Sequence, residues 1–516
     1  MFMVKELCRF FCSSVFGPPI QGYLPARYVL SILLFWAMSL EFAHRVCLSV
    51  TIVAMVNHTA LNKVNSSGSA DDESCPDLIS PNSTSSDLLG EYVWTPSIQG
   101  IILGAYFYGY VCTQAVGGRF AELAGGKWPL GLSILFASLL TVFTPIAADL
   151  GVLVIVLVRV LMGLIHGICL PTAFALFAHW APVEERSTMV ALCLIGDHVG
   201  TVVAMPLAGY LCEYGFDGGW PSVFYILGLL GCVWFVFWLC LAYNTPSDHP
   251  RISKHELDYI QKGHVQMGAD QKTPVPWRSV LCSMPVWSIA IVTFCAAWGY
   301  TTLLTKLPTY MEVVLHVPIQ KNGLVNSFIY VCTCATLFAS GYLSDYLRSK
   351  NISATKIRKG FEAFALFGPA VCTALIPLVG CNKNVIIALL ALAMAFLGLC
   401  GGGHVAMPSD MAPHHAATIF GFVNGIGSTA GIFSPLFAGF LLENAHASID
   451  QWSAVFYTSA GFYLIGGLVF LVWASAEKQP WAHVPSTEKL LKHDEMTNEK
   501  VINTDLERSF QYGAIS

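Results

Sequence analysis

Residues 156–187 read VLVRVLMGLIHGICLPTAFALFAHWAPVEERS, and this stretch decides the fold. Its first two-thirds are apolar enough to span a bilayer, yet they contain Arg159 and, seven residues later, His166. Seven residues are about two helical turns, so both side chains lie on one face of a helix. An arginine near the middle of a membrane costs about 2.5 kcal/mol or more by insertion scales. Arg159 must therefore face a bundle interior, a water-filled cavity or an anionic partner.

The composition of the whole chain also indicates a membrane protein. Of its 516 residues, 55% are hydrophobic and only 11% are charged, whereas soluble domains carry about 25% charged residues. Because a helical span needs about 20 residues, we predict an all-α protein with twelve transmembrane helices. The predicted spans lie near 28–56, 97–118, 129–149, 151–179, 188–212, 221–243, 285–313, 323–343, 360–381, 384–408, 417–443 and 452–475.

The distribution of basic residues predicts the orientation. The stretch 57–96 has one basic residue, Lys63, among many acidic ones, whereas the loops 244–284 and 344–359 are rich in lysine and arginine. The positive-inside rule places both termini and the middle loop in the cytosol. The predicted organisation is a cytosolic N-terminus (1–27), a first six-helix bundle (28–243), a cytosolic linker (244–284), a second six-helix bundle (285–475) and a cytosolic tail (476–516).

The acidic stretch also carries three glycosylation sequons, at Asn57 (NHT), Asn65 (NSS) and Asn82 (NST). Glycosylation occurs on the side of the membrane away from the cytosol, which agrees with the orientation from the charges. The predicted orientation also suggests a disulfide between Cys75 and Cys381. Both cysteines fall on the predicted external, oxidising side, and the alternative is two unpaired thiols.

A weak internal repeat supports two bundles. GGRFAELAGGK at 117–127 follows the second predicted span, and SGYLSDYLRSK at 340–350 follows the eighth. Repeats in corresponding positions of two halves are typical of transporters that bind their substrate near the midplane and work by alternating access. The predicted fold is therefore two six-helix bundles around a central cavity.

Further stretches resemble the anion transporters of solute carrier family 17, in the major facilitator superfamily. The resemblance covers nearly all of 24–482. Its main pieces are HRVCLSVTIVAMVN (44–57), QGIILGAYFYGYVCTQAVGG (99–118), WAPVEERS (180–187), KLPTYMEVVLHVPIQKNG (306–323) and SDMAPHHAATIFG (409–421). It implies a multi-pass protein of the plasma membrane or of vesicular or lysosomal membranes. It would act as a monomer without a cofactor, moving small organic carboxylates or phosphate with a proton gradient, a sodium gradient or the membrane potential.

The resemblance also implies a binding site. Arg45 and Arg159 match the family's essential arginines in the first and fourth spans, and a guanidinium suits carboxylate and phosphate because it donates two parallel hydrogen bonds. Relatives that move organic anions carry glutamates three and seven residues after the second arginine, where this chain has Met162 and His166. These two positions depart from the family's proton-coupling pattern. The alternative function is a sialin-like, proton-coupled lysosomal exporter of acidic sugars or amino acids.

Several ionisable residues are candidates for binding or coupling. Glu41 lies four residues before Arg45, so it either forms an internal ion pair with it or takes part in the transport cycle. His166 is either a packed histidine or a substrate-binding and proton-titrating group. The neighbours Asp197 and His198 in the fifth span form a proton or cation candidate, and Lys306 in the seventh is either a snorkelling lysine or a second substrate-binding cation.

The repeat loops contain residues for which we expect a gating role rather than a substrate-binding one. These are Arg119 and Glu122 in the first loop and Asp345 and Arg348 in the second.

Other functional classes find little support. No basic stripe indicates nucleic-acid binding, and no CxxC pair or His/Cys cluster indicates a metal site. A membrane enzyme needs a nucleophile with its base, or a metal cluster, and the sequence shows neither. An anion channel is the remaining rival, although channels favour a ring of repeated subunits and this chain has two unlike halves.

Overall fold

The computed structural model describes residues 25–57, 90–182, 185–266, 275–412, 415–443 and 449–482. For residues 115, 116, 118–124, 186–188, 262–266, 417 and 449 it describes the backbone alone.

The first half of the chain forms seven described helices before the linker. They are α1 (Ala26–Met55), α2 (Pro96–Ala124), α3 (Lys127–Asp149), α4 (Val152–His166), α5 (Cys169–Trp180), α6 (Arg186–Tyr214) and α7 (Trp220–Leu241). The linker contributes α8 (Lys254–Gln266) and α9 (Trp277–Leu281). A parallel bridge joins Val56 to Tyr92, next to the ends of the 57–96 stretch.

The second half repeats this pattern. Its helices are α10 (Met284–Val313), α11 (Ile319–Ser349), α12 (Ala354–Leu375), α13 (Lys383–Gly398), α14 (Met407–Met411), α15 (Ala416–Ser428), α16 (Ala430–Leu441) and α17 (Ile449–Trp473). Short 3-10 turns cover Pro246–Asp248, Ile376–Val379, Leu399–Gly402 and Pro480–Ala482.

Eleven helical segments of the described residues are long and apolar enough to cross a membrane. The 29-residue helix α2 occupies the remaining predicted position, near 97–118. The predicted fourth span is one segment, Val152–Trp180, made of α4 and α5. The two pieces are separated by Gly167 and Ile168, and Pro171 explains the break because it has no N–H to donate to the carbonyl four residues back.

Packing divides the helices into two halves that meet along two seams. Within the first half α1 packs on α6, α2 on α4 and α3 on α7, and within the second α10 packs on α17, α11 on α13 and α12 on α17. The seams between the halves are α6 against α11 and α2 against α16. The bundles therefore face each other across α1, α2, α6, α10, α11 and α16.

We call the side of the 57–96 stretch the loop side and the side of the 244–284 stretch the linker side. The tightest contacts between the halves lie towards the loop side. A Cβ added to Gly209 would lie 2.8 Å from the carbonyl oxygen of Ile319, and one added to Gly323 would lie 2.5 Å from that of Met205. Across the other seam, the backbone N–H of Ser97 donates to Glu443 over 2.8 Å. The two halves thus close upon each other on the loop side.

Candidate functional site

A small cavity with room for about one water molecule lies where both halves meet. Its walls come from α1, α2, α4 and α10. The lining residues are Arg45, Val46, Ser49, Leu103, Tyr106, Phe107, Arg159, Leu304 and Thr305. The structure therefore brings the two predicted substrate arginines, Arg45 and Arg159, to one cavity inside the membrane-spanning region.

Arg45 faces aromatic rings rather than a carboxylate. Its guanidinium carbon lies 4.3 Å from the ring centre of Phe107, 5.0 Å from Phe42 and 5.5 Å from Tyr106. Its Nε has no hydrogen-bond partner, and the ion pairs of the described residues do not include it. Cation–π contacts stabilise a guanidinium without using its N–H groups fully. Arg45 therefore keeps donors for an anion.

Arg159 is more constrained, since it is only 2% exposed. Its Nη1 donates to the carbonyl oxygen of His44 over 3.1 Å, and its Nη2 donates to that of Arg45 over 2.9 Å. These carbonyls belong to the middle of α1, so Arg159 braces α4 against α1. Its Nε has no partner. Arg159 thus supplies positive charge to the cavity while it also positions the helix that carries Arg45.

Two glycines, one in α4 and one at its C-cap, bring this helix and α2 into backbone contact. A Cβ at Gly163 would collide with the carbonyl oxygen of Tyr106, and one at Gly167 would lie 2.5 Å from that of Tyr110. This close approach holds the ring of Tyr106 between the two arginines, 5.5 Å from Arg45 and 5.6 Å from Arg159. Tyr106 and Phe107 were missed by the sequence reasoning, although the run YFYGY (106–110) shows aromatic residues at helical spacing.

His166 does not line the cavity. Its Nδ1 lies 3.1 Å from the hydroxyl of Tyr106, and its ring stacks on that of His44 with centroids 5.9 Å apart. The Nε2 of His44 lies 3.1 Å from the carbonyl oxygen of Leu227. The imidazole of His166 thus supports Tyr106 from behind, and its predicted role in coupling or substrate binding stays a prediction.

Glu41 and Asp197 lie on the facing helices α1 and α6. Glu41 is 1% exposed, and it lies close enough to Asp197 and Arg45 to interact electrostatically with both. The expected Glu41–Arg45 ion pair is absent from the ion pairs of the described chain, all of which are 4.0 Å or shorter. His198 is partly buried beside Asp197, and its Nδ1 has no partner.

Lys306 follows two cavity-lining residues in the sequence, but it does not line the cavity itself. Its side chain is 2% exposed and interacts electrostatically with Glu443, the residue that accepts the hydrogen bond from Ser97. Its neighbours Leu304 and Thr305 line the cavity instead. The geometry thus places Lys306 at the loop-side closure, and substrate binding by this lysine stays a prediction.

The linker side carries a cluster of ion pairs in each half. In the first half, Arg27 on α1 pairs with Glu185 over 2.8 Å and with Glu256 of the linker helix α8 over 3.2 Å. In the second half, Asp410 on α14 accepts hydrogen bonds from Arg348 over 2.9 Å and from Arg358 over 2.8 Å. These contacts fasten the linker-side ends of neighbouring helices together.

The predicted gating residues take part in these ion pairs only in part. Arg348 is paired as described, but its partner is Asp410 and not the repeat-loop residue Asp345, which is exposed. The side chains of Arg119 and Glu122 lie outside the described residues. A further buried pair was missed by the sequence reasoning: the Nδ1 of His404 lies 3.0 Å from the carboxylate of Glu362.

The predicted external features are described only in part. Asn65, Asn82 and Cys75 lie outside the described residues, whereas the backbone N–H of Asn57 donates to the carbonyl oxygen of Tyr92 over 2.9 Å. Cys381 is disulfide-bonded, and its pairing with Cys75 stays a prediction. Within the described ranges, no group of three or more His, Cys, Asp or Glu side chains could hold a metal ion.

Comparison with known proteins agrees with this architecture. Residues 26–404 match the family model of the Major Facilitator Superfamily. The chain is 37% identical to human sialin over 89% of its length and 91% of that protein. It is 35% identical to a putative inorganic phosphate cotransporter of Drosophila melanogaster, covering 91% of this chain and 88% of that one. It is 34% identical to vesicular glutamate transporter 3 of Danio rerio, covering 93% and 79%.

Solved structures show the same fold at low identity. A bacterial homologue of the human lysosomal transporter Spinster, in an inward-facing and unoccupied conformation, gives a TM-score of 0.67 at 15% identity over 89% of this chain and all (100%) of that one. A D-xylose–proton symporter gives 0.60 at 11% identity, covering 88% and 99%. These relatives are transporters and not enzymes. The chain is a multi-pass membrane protein that belongs to the major facilitator superfamily and, within it, to the solute carrier family 17 transporters.

Proposed function

We propose that the protein is a secondary active transporter of small anions that works by alternating access. The observation that carries the proposal is Arg45, a cation inside the membrane-spanning region that lines the cavity without an ion-pair partner among the described residues. An intramembrane charge is expensive to keep, and residues of this kind mark substrate pathways. The missing counter-charge is supplied, on this view, by the substrate.

The chemistry of the walls favours carboxylate or phosphate. Two guanidinium groups converge on the cavity, and guanidinium donates hydrogen bonds in pairs to both kinds of anion. Aromatic rings from α2, and apolar and hydroxyl side chains from α1 and α10, complete the walls. Sialic acid, glutamate and inorganic phosphate each carry a carboxylate or phosphate group and are therefore the first substrates to test. Glutamate and phosphate also appear in the names of relatives.

The loop-side closure favours a carrier over a channel. Backbone contacts at Gly209 and Gly323 bring the two halves together on that side, and a carrier must break and re-form such contacts once in every cycle. The proposed orientation places the loop side outside the cytosol or in the lumen, with both termini in the cytosol, and a single chain contains the complete cavity.

Uptake into proteoliposomes tests the proposal. The purified full-length protein is reconstituted and offered labelled phosphate, sialic acid, glutamate and urate, with an imposed pH, sodium or electrical gradient. A carrier saturates with substrate and shows counterflow, whereas a channel does neither. We expect Arg45→Gln to abolish both signals and Arg278→Gln, an exposed arginine on α9, to retain them. Full counterflow in Arg45→Gln would contradict the proposed site.

A further inference from the structure

Two carboxylates lie at the interface of α1 and α6, where Glu41 is buried and Asp197 is half-buried with an inaccessible Oδ1 atom. Glu41 is 1% exposed, its Oε2 has no hydrogen-bond partner, and neither has the Oδ1 of Asp197. The two side chains are close enough to repel each other when both are charged. A buried carboxylate without a partner is costly, and such a group becomes neutral instead of staying ionised.

The backbone holds the two acids in this arrangement. A Cβ at Gly196 would collide with the carbonyl oxygen of Phe35, and one at Gly200 would collide with that of Ser39. The helices α1 and α6 therefore touch backbone to backbone on either side of Asp197. Neither helix can retreat without losing this contact, so the two carboxylates cannot separate to relieve their repulsion.

The neighbouring arginines do not neutralise the pair by direct contact. Arg45 lies over the ring of Phe107, and both Nη atoms of Arg159 are bound to α1 carbonyls. The other titratable groups that interact with Glu41 or Asp197 are tyrosines and cysteines, whose ordinary pKa values lie above physiological pH. They are Tyr106 and Tyr110 from α2, Cys169 from α5, Cys193 from α6 and Tyr300 from α10.

The occupant that fits this site is a proton. In the part of the chain that the structure describes, the two acids do not belong to a larger group of acidic, histidine or cysteine side chains, and a proton needs only the two carboxyl groups. A single proton removes one charge and lets the protonated acid donate to its neighbour. We propose that Glu41 and Asp197 together form the proton-binding site that couples anion transport to a proton gradient.

This inference rests on the proposed function and explains how coupling would arise. Arg45 interacts electrostatically with both acids and also lines the cavity. When the acids are ionised, they compete with the substrate for the charge of Arg45. When a proton binds to the pair, Arg45 is released for the anion, and a bound anion in turn favours protonation. Anion and proton therefore bind together and cross together, and the carboxylate is regenerated when the proton leaves on the far side.

Proteoliposomes containing the full-length protein separate coupling from substrate binding. Labelled phosphate, sialic acid and glutamate are the probes, and counterflow is compared with accumulation driven by a pH gradient. One pH unit supports about tenfold accumulation for each coupled proton. We expect Glu41→Gln and Asp197→Asn to retain counterflow but lose this accumulation. Glu213→Gln, at the C-terminal end of α6, is the control and should keep both. Accumulation at the wild-type level in Glu41→Gln, or accumulation driven by sodium alone, would overturn the proton site.

Infrared difference spectroscopy of the same preparations gives a readout that needs no substrate. A protonated carboxyl group inside the protein has its own C=O band, and we expect the wild-type band to disappear in both Glu41→Gln and Asp197→Asn. Its absence from the wild type would overturn the proposal. If the wild type exchanges none of the probes, the proposed function fails, whereas the band still decides whether the proton site exists. Glu41→Asp, which retains the carboxyl group, distinguishes loss of the proton from loss of the fold.

Discussion

Replacement of Arg159 by lysine tests whether Arg159 positions α1 while Arg45 binds the anion. The arginine reaches two adjacent carbonyl oxygens of α1 with two different nitrogens, over 3.1 and 2.9 Å. A lysine places a single ammonium on a flexible stem and cannot reproduce that fork. Since insertion scales penalise arginine and lysine similarly at mid-membrane, we expect Arg159→Lys to insert and fold but to hold α1 less firmly.

The size of the effect follows from the lost hydrogen bond. A hydrogen bond to a charged group contributes about 1.5–3 kcal/mol, and lysine retains at most one of the two. If the substrate is bound only when α1 is braced, the loss appears in transport efficiency. Every 1.4 kcal/mol is a factor of ten, so we expect kcat/KM for uptake to fall by about 10- to 100-fold.

The assay is initial uptake into proteoliposomes at substrate concentrations below KM, normalised to the amount of folded protein recovered from size-exclusion chromatography. Arg278→Lys, the same substitution at an exposed position on α9, is the matched control and should equal the wild type. Wild-type kcat/KM in Arg159→Lys would refute the reasoning, because the charge alone would then suffice.

Three further predictions concern other parts of the molecule. Gly323→Ala should disrupt the backbone contact between the bundles and lower uptake, and in a Ser49→Cys background it should expose this cavity residue to thiol reagents from the loop side. Glu185→Gln should reduce the melting temperature near neutral pH and flatten its dependence on acid, because the hydrogen bonds from its arginine partner lower the pKa of the Glu185 carboxyl. Non-reducing mass spectrometry of the deglycosylated protein should find Cys75 linked to Cys381.

Each of these predictions has its own control and contrary result. Gly360→Ala adds a Cβ where nothing lies within 4 Å, so it should be neutral, and equal accessibility in the two glycine variants would reject the contact. A carboxyl with a lowered pKa stabilises above its ordinary value of about 4.3, and the stabilisation is lost as pH falls through the lowered value. A Glu185→Gln melting curve that parallels the wild type at every pH would contradict the linkage. Alkylated, unpaired Cys75 and Cys381 in the major species would rule out the bridge.

The membrane-spanning helices were predictable from the sequence because their signal is local. A run of apolar residues is sufficient to require a helix in a bilayer, since the backbone has no other way to satisfy its hydrogen bonds. The predicted span 28–56 is observed as Ala26–Met55, and 285–313 as Met284–Val313. Apolarity does not encode breaks inside a span. The interruption after His166 follows from Pro171, which lies within the predicted span.

The sequence predicted those site residues whose charge is costly inside a membrane, and it did not predict the uncharged ones. Arg45 and Arg159 stand out because charge in an apolar run requires an explanation. The ring of Tyr106, which lies between them, gives no such signal, since an aromatic residue in an apolar helix is ordinary. The choice of Asp410 as the partner of Arg348 depends on the packing of α11 against the region of α14, which spacing within the repeat loop does not encode.

The seal at Gly209 and Gly323 is formed by peptide groups without intervening side chains. Peptide groups do not titrate and carry no net charge, so the contact at this seam does not respond to pH, unlike the contact at the other seam, where Ser97 donates to the carboxylate of Glu443. It is also indifferent to the identity of the enclosed solute. Substitutions around Arg45 can therefore change the enclosed solute without changing the contact at Gly209 and Gly323.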